Sequence, residues 1–153
     1  MSQFNMGSNE LGNNGIDFLS TVADFKILTE LNCENFDLGR DGIEFLLKCD
    51  LSSVNIINLA GNDIGDEELD LILRLVIKPI TYLNLENNRI GLEGMKLLSK
   101  INLESIRVLN LAGNNIGVEE IELFSKRSFK SPTQLNLEKN KIYNYNEVIN
   151  NLY

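Results

Sequence analysis

The sequence predicts a curved, right-handed α/β solenoid, with a parallel sheet on its concave side and helices on its convex side. Three observations carry that prediction. A 26-residue period runs through most of the chain. Inside each period the hydrophobic spacing changes from that of a strand to that of a helix. And no single copy can bury its own apolar side, so the copies must stack.

Four segments align without a gap: VNIINLAGNDIG from Val54, ITYLNLENNRIG from Ile80, IRVLNLAGNNIG from Ile106 and PTQLNLEKNKIY from Pro132. Asn62, Asn88, Asn114 and Asn140 mark the 26-residue spacing three times over. A weaker copy, LTELNCENFDLG, starts at Leu28, with Cys33 in a leucine place and Phe36 in the asparagine place. One step of 27 residues further back, Phe4, Met6, Asn9 and Leu11 fill apolar and asparagine positions, followed by Gly12. Six copies of 26–27 residues thus span residues 1–153 as a single domain. The first copy lacks its beginning, and residues 143–153 read as a modest cap.

Within a copy, Leu83-Asn84-Leu85 and its equivalents alternate apolar and polar residues, the pattern of a half-buried strand. A glycine (Gly12, Gly39, Gly65, Gly91, Gly117) serves the turn that follows. Apolar residues then recur at helical spacing: Leu69, Ile72, Leu73 and Val76; Met95, Leu97, Leu98 and Ile101; Ile121, Leu123 and Phe124. Acids open these helices (Asp66, Glu67, Glu68; Glu119, Glu120) and Lys100, Lys126 and Arg127 stand near their ends, as the helix dipole favours. Stacking sets parallel strands about 4.8 Å apart.

These copies resemble the leucine-rich-repeat family, whose pattern is L-x-x-L-x-L-x-x-N-x-L. The glycine after the last apolar position and the helical tail are most similar to the ribonuclease-inhibitor-like subclass, in which each repeat is a strand, a turn and a convex helix. The resemblance implies a shape and a binding role without naming a partner. It also implies that Asn9, Asn62, Asn88, Asn114 and Asn140 turn inward, where their amides tie down backbone groups of the turn. Phe36 interrupts that series, so the turn near it is expected to pack differently.

Composition narrows the function. The formal net charge is -8, from 22 acidic against 14 basic residues, which argues against a nucleic-acid footprint of clustered Lys and Arg. There is no histidine, and the two cysteines, Cys33 and Cys49, read as buried or half-buried free thiols. No metal site, cofactor site, phosphate loop of the G-x-x-x-x-G-K type or nucleophile with a matching base is expected. No apolar run approaches the ~20 residues that span a bilayer, so no membrane role is expected. The N-terminus lacks the basic start and apolar stretch of a secretory signal. The chain reads as cytoplasmic, or as delivered into a host cell by a route that needs no such signal.

Three columns of residues are expected on the concave face. The central one, Asn5, Asn32, Asn58, Asn84, Asn110 and Asn136, is expected to form a side-chain amide ladder, each amide donating to the next. It reads either as a repeated consensus residue or as part of a binding strip centred on Asn58, Asn84 and Asn110. The first flanking column is Gln3, Glu30, Ile56, Tyr82, Val108 and Gln134; the second is Gly7, Glu34, Ala60, Glu86, Ala112 and Glu138. The second column places an acid on every other rung, about 10 Å apart, or simply records duplication of a two-repeat unit. Ile56, Tyr82 and Val108 read as an exposed apolar strip with an aromatic anchor, rimmed by Glu30, Glu34, Glu86 and Glu138.

The reading is a non-enzymatic protein-interaction module whose concave face takes a protein partner carrying a basic segment. Its rivals are a GTPase-activating protein, a secreted effector suggested by the heavy use of Asn, Ile and Lys, and a fragment of a larger multidomain protein. Self-association through the edge of the N-terminal repeat is also expected, because Phe4 and Met6 fill core positions with no preceding rung.

Overall fold

The structure, a computed structural model, describes residues 3–5, 7, 25–75, 80–125 and 134–142. The expected turn residue Asn9 and the expected cap at residues 143–153 lie outside these, as do Met6, Leu11, Gly12, Lys126 and Arg127.

Among the described residues, six three-residue strands form one parallel sheet in chain order: β1 (Gln3–Asn5), β2 (Glu30–Asn32), β3 (Ile56–Asn58), β4 (Tyr82–Asn84), β5 (Val108–Asn110) and β6 (Gln134–Asn136). Four α-helices follow β2 to β5 in turn: α1 (Gly39–Lys48), α2 (Asp66–Leu75), α3 (Leu92–Leu98) and α4 (Val118–Ser125). A 3-10 turn, Phe25–Ile27, precedes β2, and Phe25 meets Phe45 of α1 edge to face at 6.1 Å. Strand pairing is in register throughout, so Leu31, Ile57, Leu83 and Leu109 stack one above another. These four side chains are at most 1% exposed, and Leu59, Leu85 and Leu111 beside them are fully buried.

The core is a slab between sheet and helices. Leu69 and Ile72 of α2, Met95 and Leu98 of α3, and Ile43 and Leu46 of α1 supply its other wall. Each buried leucine or isoleucine contributes about 1.5–3 kcal/mol of transfer free energy. That burial, and not three-residue strands or helices of seven to ten residues on their own, holds the array together. Each helix packs on the next, α1 on α2, α2 on α3 and α3 on α4. At Gly94 a Cβ would lie 2.6 Å from Asp66 Oδ1 and 3.0 Å from Leu69 Cδ2, so α3 approaches α2 there through a glycine.

The helix starts follow from their sequences. The Gly65 and Gly117 N–H groups donate to Glu68 and Glu120 three residues on, at 3.1 and 3.0 Å, in the manner of a capping box. The Gly91 N–H instead reaches Asp66 of the preceding repeat at 2.8 Å. Acids open α2 and α4, as expected from the sequence, and Lys48, Arg74 and Lys96 lie in the last turns of α1, α2 and α3.

Candidate functional site

Two asparagine columns flank the ends of strands β3 to β6, and they do different work. Asn62, Asn88 and Asn114 are buried, with 3–7% exposure. Asn88 Oδ1 accepts the N–H groups of Asn62 and Ile64 in the rung before it, at 3.1 and 2.9 Å. Its Nδ2 donates to the carbonyls of Leu59, Leu85 and Glu86. Asn114 and Asn140 repeat this arrangement one and two rungs on. Each of these amides thus ties its own turn to the backbone of the rung before it. Phe36 is fully buried in the same position and supplies no amide, yet its own N–H is still capped by Asn62 at 3.0 Å.

The outer column departs from the expected ladder. In all six rungs the asparagine Oδ1 accepts the N–H two residues ahead: Gly7, Glu34, Ala60, Glu86, Ala112 and Glu138, at 3.0–3.2 Å. This local bond turns the chain out of the strand after three residues. Amide does not donate to amide. Instead Asn58 Nδ2 donates to Glu34 at 3.1 Å and Asn110 Nδ2 to Glu86 at 3.0 Å. The oxygen of each amide is committed to its own turn, so the nitrogen finds a better acceptor in a carboxylate one rung back. Asn58, Asn84 and Asn110 are thus strand-ending residues first, and Asn84 is only 8% exposed.

The expected apolar strip is present in register, since Ile56 pairs with Tyr82 and Tyr82 with Val108. It is half-buried, and not exposed as the alternation alone suggests. Neighbouring rungs at sheet spacing cover much of each side chain. On this face a hollow of about 530 Å³ opens over β4 to β6, lined by Tyr82, Val108, Asn110, Gln134, Leu135 and Asn136. Ile56 and the glutamates Glu30, Glu34, Glu86 and Glu138 are not among its walls. Glu30, Glu34 and Glu86 are half-buried and Glu138 is exposed. Leu135 was missed by sequence reasoning because its place in the repeat is a core place; its 38% exposure belongs to the position of β6 in the stack. Gln134 was visible in the same column as Tyr82.

A second hollow, of about 370 Å³, lies on the helix side between α1, α2 and α3, where Arg40 pairs with Glu44 and Glu67, Arg74 with Asp70, and Lys96 with Glu93. These pairs are exposed and satisfy one another, and each contributes little. Cys33 and Cys49 are free thiols, Cys33 buried and Cys49 half-buried. Burial pushes the Cys33 thiol up to about 12 and raises that of Cys49, which leaves both poor nucleophiles at neutral pH. Among the described residues no group of three or more acids or cysteines could hold a metal ion, and no helix is long and apolar enough to cross a membrane.

Stacked strand-turn-helix units, each burying its apolar side against its neighbours, define the repeat-solenoid class. The family model described as Leucine Rich repeat matches residues 50–71, 78–99 and 102–119, and those stretches of the chain are leucine-rich repeats. No curated protein is significantly similar to the chain. Leucine-rich repeats generally mediate protein–protein interaction and are typically not enzymes.

Proposed function

We propose that this chain is a non-enzymatic binding module that takes a protein partner in the hollow over β4 to β6. The observation that carries the reading is the hollow itself: Tyr82, Val108 and Leu135 give its lining apolar surface, and Asn110, Gln134 and Asn136 add amides. An aromatic anchor with a polar rim is the composition of a binding hot spot. Glu30 and Glu138, on the same face and outside the hollow, favour a partner with a basic segment by steering its approach. Glu34 and Glu86 have a prior commitment to the Asn58 and Asn110 amides and contribute less.

The test is capture of a stoichiometric partner by the wild type, followed by affinity measurement with Tyr82→Ala and Glu138→Lys variants. Tyr82→Ala should weaken binding by about 2 kcal/mol, roughly thirtyfold. Glu138→Lys should act mainly on association rate and its salt dependence. A partner whose affinity ignores Tyr82→Ala would place the site elsewhere.

A further inference from the structure

The rungs obey a rule of order. Glu34 of the β2 rung receives the Asn58 amide of the β3 rung, and Glu86 of the β4 rung receives the Asn110 amide of the β5 rung. In both cases a glutamate rung comes first and a small-residue rung, with Ala60 or Ala112 in the facing column, follows it. The backbone runs in the same sense. The N–H groups of Cys33, Leu59, Leu85 and Leu111 donate to the carbonyls of Asn58, Asn84, Asn110 and Asn136 on the next rung, at 2.8–2.9 Å.

The β6 rung carries the same features without a follower among the described residues. Leu137 stands where Leu111 stands, and Glu138 where Glu34 and Glu86 stand, but Glu138 is exposed. Leu135 is 38% exposed, whereas its counterparts in β2 to β5 are at most 1% exposed. Residues 143–153, YNYNEVINNLY, contain no copy of the L-N-L-x-x-N rung. A follower of the kind seen at β3 and β5 would be a small-residue rung with an asparagine facing Glu138. The β1 rung has that composition: Asn5 is in the amide column and Gly7 stands where Ala60 and Ala112 stand. Asn5 is exposed, and its Oδ1 is held by the Gly7 N–H at 3.0 Å, so its nitrogen is the group that Asn58 and Asn110 offer to a glutamate.

We propose that the β6 edge of one molecule docks the β1 edge of a second copy, head to tail. Glu138 receives the Asn5 amide, the Leu137 N–H donates to the Asn5 carbonyl, and Leu135 is covered. This surface meets the partner hollow at Leu135 and does not include Tyr82 or Val108. A contact of this kind joins two different patches, so it propagates into open chains or closes into a ring.

Sedimentation velocity on the whole chain tests it through a charge swap between copies. Asn5→Asp keeps the oxygen that Gly7 uses but sets a carboxylate against Glu138; Glu138→Lys reverses the other side. Within one molecule β1 and β6 are five strand spacings apart, about 24 Å, so the two positions meet only between copies. Wild-type mass should rise above 17.3 kDa with concentration. Each variant alone should need at least about tenfold more protein to reach the same mass, and an equimolar mixture of the two should restore association. Melting curves establish that each variant is folded; if either is not, Asn5→Ala and Glu138→Ala must both weaken association. A wild type that stays monomeric up to about 1 mM overturns the proposal. So does a mixture that associates no better than its components.

Discussion

The rungs of β2 and β4 differ from those of β3 and β5 in how they make the same turn. In the first pair, Asn35 and Asn87 occupy the left-handed position, with φ of 50° and 52°, beside Glu34 and Glu86. In the second pair Gly61 and Gly113 occupy it, both with φ of 65°, beside Ala60 and Ala112. A Cβ on Gly61 would collide with Asn35 Oδ1, and one on Gly113 with Asn87 Oδ1. The large side chains of one rung therefore fill the room that the next rung leaves. The packing unit is two repeats, not one, and the alternation of acid and alanine along the sheet has a steric and hydrogen-bonding cause beyond any history of duplication.

The most severe way to break that pairing is to fill the small rung. Gly113→Val imposes both a left-handed backbone on a β-branched residue and a collision with Asn87, and should cost about 4 kcal/mol in a denaturant series. Gly113→Asn removes most of the backbone penalty and keeps the collision. Combined with Asn87→Gly it should recover most of the loss, and a double variant no better than Gly113→Asn alone would show that the two positions do not compete for space.

Next in size is the contrast between the two asparagine columns. Asn88→Ala leaves two buried N–H groups and three carbonyls without their amide partner and should cost about 3 kcal/mol. Asn84→Ala removes one local bond, to the Glu86 N–H, and should cost about 1 kcal/mol. A melting series with Asn84→Ala as the worse of the two would reverse the assignment of inner and outer columns.

The smallest effect separates glutamates with a follower from the one without. Glu86→Ala breaks the bond to Asn110 and should lower stability by about 1 kcal/mol. Glu138→Ala, measured on dilute protein, should leave the unfolding midpoint unchanged, because Glu138 is exposed and holds no amide of a next rung among the described residues. Equal losses at the two sites would mean that the carboxylate–amide bond contributes nothing to stacking.

Much of the site was legible residue by residue. The period picked out Asn62, Asn88, Asn114 and Asn140 as one column, and their inward role came from the resemblance to the leucine-rich-repeat family, not from the spacing. The register of Ile56, Tyr82 and Val108 followed from the same spacing. The amide ladder did not survive, because spacing brings two asparagines together without saying which of their atoms are already engaged. Each Oδ1 is taken by its own turn, and that is decided by the φ and ψ of the residues after the strand.

What the sequence determined by itself is the repeat, the strand-turn-helix order, the buried faces and the columns, since all depend on periodicity along one chain and on the need to bury apolar side chains. What only the tertiary structure decided depends on neighbours in space. The half-burial of Tyr82, the exposure of Leu135, the donation of Asn58 and Asn110 to Glu34 and Glu86, and the fit of Asn87 over Gly113 all arise between rungs. One repeat viewed alone contains Glu86 and Gly91 but neither Asn110 nor Asp66, and it is those residues, in the neighbouring repeats, that complete the hydrogen bonds of each.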